Sequence, residues 1–243
     1  MPKVTIFKDE RVLARTLAAQ IVEALAAKPD LVLGLPTGRT PIRLYHELGT
    51  LHTKGHVDFS RVTTFNLDEF LGVGPDHPGS YRAFMQEHLF SRVNIPAGQI
   101  NMLNGVAPDP LAECIRYERA IAAAGGLDLQ LLGIGTNGHI GFNEPARELT
   151  GGTHRVVLKE STRRSNAALF GGTDAVPREA LSMGMATILR ARRIILLATG
   201  KSKAKCVERA VHGPITPRMP ASFLQLHRDV ELVLDEAAGG SLR

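Results

Sequence analysis

Three side chains able to hold or move a proton, Asn137, His139 and Glu144, fall within one glycine-rich stretch, "LLGIGTNGHIGFNEP", at residues 131–145. A neutral imidazole takes a proton from a hydroxyl, and a neighbouring amide or carboxylate fixes its tautomer. Two more carboxylates, Asp68 and Glu69, close the run "FNLDEF" at 65–70. A general base near neutral pH needs a partly desolvated carboxylate within hydrogen-bond reach. Neighbours on a continuous strand point to opposite faces, so only one of these two faces a substrate unless the chain turns there.

Gly133, Gly135 and Gly138 also spell the dinucleotide pattern G-x-G-x-x-G. That reading wants a helix starting inside the glycines and an acid about 20 residues further on. Glu160 has roughly that spacing but lies in a polar stretch, and Pro145 limits any helix from His139. "GLPTGRTP" at 34–41 resembles a phosphate loop without matching G-x-x-x-x-G-K-[ST]: Gly34 and Gly38 are too close, and Arg39 stands for Lys. ATP and GTP are therefore not expected. A turn feeding a helix still offers free N–H groups to a single phosphate, with the Thr37 and Thr40 hydroxyls beside them. Thr40 is expected to cap that helix and Pro41 to take its first position. "ATGKSKAK" at 198–205 puts Lys201 and Lys203 just past a strand, where a bound anion gives a reason for cations that the helix dipole does not. Bland readings stand beside each motif: a capped turn, two acids solvating a strand end, a satisfied core histidine and solvated lysines. His46, His52 and His56 lack compact ligand spacing, so no metal is expected.

The elements that must position these groups alternate along the chain. Apolar runs at 3–7, 31–35, 61–67, 127–134, 192–199 and 230–234 read as strands. Helical patterns cover 10–27, a segment from Pro41, 79–89, 109–124, 178–190 and 201–211. In the first helix Leu13, Leu17, Ile21 and Leu25 share a face. The alternation predicts one α/β domain over 1–243: a doubly wound, mainly parallel sheet with helices on both faces, a Rossmann-like three-layer sandwich. The stretch 146–175 is the least periodic and suits a flap or an irregular connection. Four expected strand ends carry the unusual residues, and ligands of open α/β sheets gather at that end.

Composition narrows the classes. With a net charge of +5 spread along the chain and only 5% aromatic residues, a nucleic-acid groove with stacking platforms is not expected, whereas an anionic small molecule fits. Two cysteines make neither a disulfide framework nor a thiolate metal site. No apolar run approaches the roughly 20 residues that span a bilayer, so the expected place is the cytosol.

The ordered set "GLPTGRTP", "FNLDEF", "GIGTNGHIGFNEP" and "GKSKA", with "SFLQLH" at 222–227, resembles the glucosamine-6-phosphate deaminase family from the first strand to about residue 236. "GHIGFNEP" is the most specific part, because the sister 6-phosphogluconolactonases keep a Gly-His loop without that continuation. The resemblance implies cofactor-free conversion of D-glucosamine 6-phosphate and water to D-fructose 6-phosphate and ammonia. It implies Asp68 as the base at carbon 2, His139 as the ring-opening residue, and Asn137 and Glu144 as its companions. Pro36, Thr37, Gly38, Arg39, Thr40, Gly138 and Lys203 would surround the phosphate. The family's mobile lid maps to 158–181. Relatives place Arg where this chain has Ala168, which leaves Arg163 and Arg164 as candidate replacements. Many relatives have Asp at Asn137, so a shifted pH profile is expected. The expected partner is a small amino-sugar phosphate, with homo-oligomerisation left open. A 6-phosphogluconolactonase, an isomerase of another sugar phosphate and a noncatalytic sugar-phosphate sensor are the competing readings.

Overall fold

The apolar runs form strands in the computed structural model, which describes residues 2–242. The strands are β1 (Lys3–Phe7), β2 (Val32–Leu35), β3 (Thr63–Asn66), β4 (Asp68–Phe70), β5 (Ile100–Asn101), β6 (Leu129–Gly133), β7 (His154–Val157), β8 (Glu179–Ser182), β9 (Arg193–Ala198) and β10 (Val230–Asp235). The helices are α1 (Glu10–Ala27), α2 (Ile42–Thr53), α3 (Tyr81–His88), α4 (Pro110–Ala123), α5 (Glu160–Phe170), α6 (Met185–Leu189), α7 (Ala204–His212) and α8 (Glu236–Gly239). Seven strands make a parallel sheet in the order β1-β10-β9-β6-β2-β3-β5, and β4-β8-β7 make a separate antiparallel one.

Strand periodicity divides the core in two. Leu33, Leu131, Ile195, Leu197 and Val233 pack with α1, α2 and α3 on one face of the large sheet. Val32, Leu132, Ile194, Leu196 and Leu232 pack with α4, α6, α7 and α8 on the other. The alternation of successive side chains gives a parallel sheet two buried faces, which is why its strands read as unbroken apolar runs. The winding reverses between β2 and β6, so the loops leaving those strands flank the topological switch point.

Two expectations need correction. Residues 178–190 are not one helix: β8 comes first, then Gly184 turns the chain into α6. "EALS" is built of helix formers, but it is buried between β4 and β7, and tertiary pairing overrides the local preference. Gly184 has its Cα so near the Gly152 backbone that an added Cβ would lie 2.1 Å from the carbonyl oxygen. Next, α2 begins at Ile42 with Pro41 at its cap position and no side-chain cap bond, so Thr40 is not the cap. The aperiodic stretch 146–175 holds β7 and α5.

The run "FNLDEF" bends at Leu67 and changes sheets. The Leu67 N–H donates to Leu35 O at 3.2 Å, while its carbonyl accepts from Met183 N at 2.7 Å. Asp68 then pairs with Ser182, and Glu69 with Leu181. Glu69 turns away from Asp68 and accepts the amides of Phe70, Tyr81 and Arg82 at 2.9, 3.0 and 3.0 Å. It therefore caps α3 together with Ser80, whose hydroxyl accepts from Ala83 N at 3.0 Å. Replacing Glu69 by Ala strands those amides in a buried place, which should cost about 1–3 kcal/mol. Urea denaturation should show a lower midpoint at an unchanged slope; a wild-type midpoint would mean that Ser80 suffices.

Candidate active site

The loop after β2 lies on one side of the switch point. Pro36 is buried, and its carbonyl accepts the Tyr45 hydroxyl. Gly38 has φ 95°, a left-handed value natural to glycine, which turns the chain toward α2. Thr37 and Thr40 are half-buried, and Arg39 is exposed at the tip. Lys203 ends a 3-10 turn, Lys201–Lys203, ahead of α7. Its Nζ donates to Ile134 O at 2.6 Å, so the ammonium sits against the loop that follows β6. Burial lowers its pKa. Lys201 is exposed.

On the other side, the chain after β6 folds tightly around His139. Gly138 N donates to Gly135 O, and Gly135 N to His139 O, both at 2.9 Å. A Cβ on Gly135 would lie 2.2–2.5 Å from atoms of the His139 ring, so only glycine lets the imidazole rest on the backbone. Asn137 faces both neighbours: its Oδ1 accepts from His139 N at 3.1 Å, and its Nδ2 donates to Glu144 Oε2 at 2.8 Å. Glu144 Oε1 lies 3.6 Å from His139 Nδ1, a charge-pair distance too long for a hydrogen bond. The same oxygen accepts from the Thr162 hydroxyl. Burial opposes the charge of Glu144, but the facing His139, then the Thr162 hydroxyl and the Asn137 amide, hold its pKa down to about 2.

Asp68 reaches the same loop from β4. It is only 6% exposed, and its Oδ1 has no hydrogen-bond partner among the described residues. Its Oδ2 would lie 3.7 Å from a Cβ on Gly141, two residues past His139. Burial, and secondarily the charge of Glu69, push Asp68 up to about 8. A buried, unpartnered carboxyl against the loop that holds the imidazole offers a second proton-handling group, separate from His139.

Sequence reasoning passed over several supports. Asn143 Nδ2 donates to Ile140 O at 2.9 Å and Met183 O at 2.8 Å, locking the loop onto the end of β8. Ser182 Oγ accepts from Phe142 N at 3.0 Å. Thr162 lies in the aperiodic stretch, with no local signal to single it out. The structure commits Arg163 to the carbonyls of Thr173, at 2.8 Å, and Val176, at 3.3 Å, and pairs Arg164 with Glu160 on the exposed face of α5. Ala168 is exposed. Two surface hollows lie elsewhere, one against Leu25, His56 and Arg61 and one against Arg190, His227 and Arg228; neither contains the acid–base residues. Among the described residues no group of three or more His, Cys, Asp or Glu is placed to hold a metal ion.

Comparison with known proteins gives a consistent result. The model of the family described as glucosamine-6-phosphate isomerases/6-phosphogluconolactonase matches residues 9–233. The glucosamine-6-phosphate deaminase of Halothermothrix orenii is 47% identical over 99% of this chain and 100% of its own length. A solved structure of a monomeric glucosamine-6-phosphate deaminase superposes with a TM-score of 0.95 at 43% identity, covering 98% of this chain and 99% of that one. The 6-phosphogluconolactonase from Trypanosoma cruzi, 23% identical, shares the fold with a TM-score of 0.80, covering 100% of this chain and 97% of that one.

The isolated Asp68 carboxyl has a consequence for stability. An unfolded aspartic acid loses its proton near pH 4, whereas folded Asp68 keeps it to about 8. The folded state holds the extra proton across that window, so this residue lowers stability as pH rises through it. Asp68→Asn removes the titration. Urea unfolding at about pH 5 and about pH 8 should show the variant gaining on wild type at the higher pH, by an amount on the order of a few kcal/mol. Parallel pH dependence of the two proteins would refute the buried, unpaired assignment.

Proposed function

The chain belongs to the glucosamine-6-phosphate isomerase/6-phosphogluconolactonase family, and from that premise we infer that it converts D-glucosamine 6-phosphate and water to D-fructose 6-phosphate and ammonia. The observation that carries the choice within the family is the separation of Asp68 from the His139, Asn137 and Glu144 group. Aldose–ketose isomerisation needs a base at carbon 2 in addition to a ring-opening residue; hydrolysis of a lactone needs no enolisation base. Full-length identity to named deaminases supports the same choice, while the lactonase likeness extends to the fold alone.

His139 moves the proton of the anomeric hydroxyl, and the pyranose opens to the aldehyde. Glu144 and Asn137 hold the imidazole for that transfer. Asp68 then removes the carbon 2 proton, giving an enol with the amine on carbon 2. Addition of a proton to carbon 1, as the ammonium gives up one N–H proton, yields the protonated carbon 2 ketimine. Water adds to that carbon, ammonia leaves, and the ketone remains. The step requires Asp68 as a carboxylate, and the ammonium form of the substrate amine brings the counter-charge that the protein itself does not place beside it.

The phosphate is read as lying against Pro36, Thr37, Gly38, Arg39 and Thr40, with Gly138 and Lys203 opposite. This arrangement supplies amides, hydroxyls and a cation. It leaves the anchoring to the loop and Lys203, because Arg163 and Arg164 already hold other partners. The same reading takes 1–243 as one domain with a lid over 158–181. It places the protein in the cytoplasm; no helix among the described residues is long and apolar enough to cross a membrane.

Two measurements test this reading. Purified protein should release ammonia from D-glucosamine 6-phosphate with fructose 6-phosphate in equal amount, and Asp68→Asn should slow turnover by roughly 10²–10⁴ while keeping the fold. Ammonia release at the wild-type rate by the folded variant would remove Asp68 from the role of base. Lys203→Ala should raise KM about tenfold to hundredfold, the scale of one charged hydrogen bond, for the phosphorylated sugar and not for glucosamine. Equal efficiency on the two sugars in wild type would end the phosphate assignment.

A further inference from the structure

Among the described residues, every helix except α5 buries an apolar side chain; α5 buries only Thr162, which is 4% exposed. Phe170, at the far end, is half-buried against Phe70 and His77, with ring centroids 5.1 and 5.4 Å away. The first turns of α5 are therefore seated by polar contacts. Thr162 donates its hydroxyl hydrogen to Glu144 Oε1, the oxygen that faces His139 Nδ1. Lys159 Nζ, just before the helix, donates to Pro145 O at 2.5 Å, beside Glu144 in sequence. Ser165 Oγ and Asn166 Nδ2 fold back on Thr162 O at 2.8 and 2.9 Å, which stiffens that turn.

These contacts divide the labour around one carboxylate. Asn137 fixes Oε2 from within the His139 loop. Oε1, the oxygen turned to the imidazole, is fixed from a different element. With the hydroxyl withdrawn, the Glu144 carboxylate is left free to rotate about its Oε2 contact, and His139 loses a fixed charge beside Nδ1. A hydroxyl in a buried slot faces no competition from water, so its directional hold is strong.

We propose that Thr162 is a positioning residue for ring opening: its hydroxyl fixes the Glu144 oxygen that orients His139, so the seating of α5 and the readiness of the imidazole are a single event. This rests on the assignment of His139 and Glu144 to ring opening. A threonine on the segment read as a lid thereby ties that segment to the residue that begins the reaction.

The test compares Thr162→Val, Thr162→Ala and Thr162→Ser on two substrates. One is D-glucosamine 6-phosphate; the other is its 5-deoxy analogue, which cannot close the pyranose ring and reports the carbon 2 step by hydrogen–deuterium exchange. Val and Ala should lower kcat on the cyclic sugar about tenfold to hundredfold, with KM unchanged. Exchange at carbon 2 of the 5-deoxy analogue should stay at the wild-type rate, and Ser should restore turnover. Equal losses on both compounds, wild-type kcat in both Val and Ala, or failure of Ser to restore would each overturn the assignment. The Ala variant serves if Val does not fold. Absence of ammonia release by wild type would fail the deaminase reading instead, whereas failure for Thr162 would show only as the pattern among active proteins.

Discussion

Leu67 belongs to two sheets at once. Its N–H completes the parallel sheet at Leu35, and its carbonyl starts the antiparallel one at Met183. That shared peptide forces the chain to turn where an ordinary strand would run on. Asp68 emerges on one side with an oxygen that no described residue satisfies, and Glu69 emerges on the other with three amides around it. Two adjacent carboxylates thus receive opposite surroundings from one bend: one holds a helix, the other is left without a protein partner. The small sheet exists to make this exchange, because β8 supplies both the partner for Asp68 and, through Ser182 and Met183, the anchors of the His139 loop.

Across the site a second carboxyl is treated in the reverse manner. Glu144 is also buried, but the imidazole, the hydroxyl and the amide around it hold its pKa to about 2, against about 8 for Asp68. Two acids held so far apart in pKa suit the distinct proton-handling roles proposed for them. Both values follow from partners supplied by the fold. Asp68 is buried within reach of the Tyr45 and Tyr81 hydroxyls, whose own pKa values burial raises and the charge of Asp68 raises further. Glu144 sits where three chain segments present donors. Asn137 donates an amide hydrogen here, a contact an ionised Asp would not make, so the departure at this position suits the carboxylate beside it.

The loop that carries His139 is legible in the sequence because it follows a strand end. The apolar run of β6 announced a buried parallel strand, and the glycines after it announced a backbone that something must approach closely; that something is the His139 ring at Gly135. The two core faces likewise follow from apolar runs such as "IILLA". Other features carried no such mark. β4 and β7 are too short to show a period, and "EALS" reads as helix because Glu, Ala and Leu favour one; only the flanking strands make it β8. Which of Asp68 and Glu69 faces inward depended on a bend made with Met183, more than a hundred residues away, and no local spacing encodes that. The role proposed for Asp68 is one the family resemblance implies, and Thr162 carries no mark in the sequence, since a buried threonine and a surface threonine look alike in a polar stretch.

The order of the large sheet bears on how the chain comes off the ribosome. β1 pairs with β10 alone, from Lys3 opposite Glu231 to Phe7 opposite Asp235. The earliest strand to be made therefore waits for the last. At about 5–20 residues per second, that interval is on the order of ten seconds or more, during which β1 has no native neighbour and the apolar stripe of α1 lacks part of its cover. β2, β3 and β6 are complete sooner and pair among themselves, so the switch point and its two loops assemble before the sheet closes. The nascent polypeptide thus carries the switch-point loops in outline while one edge remains open to strangers, and the arrival of β10 closes that edge.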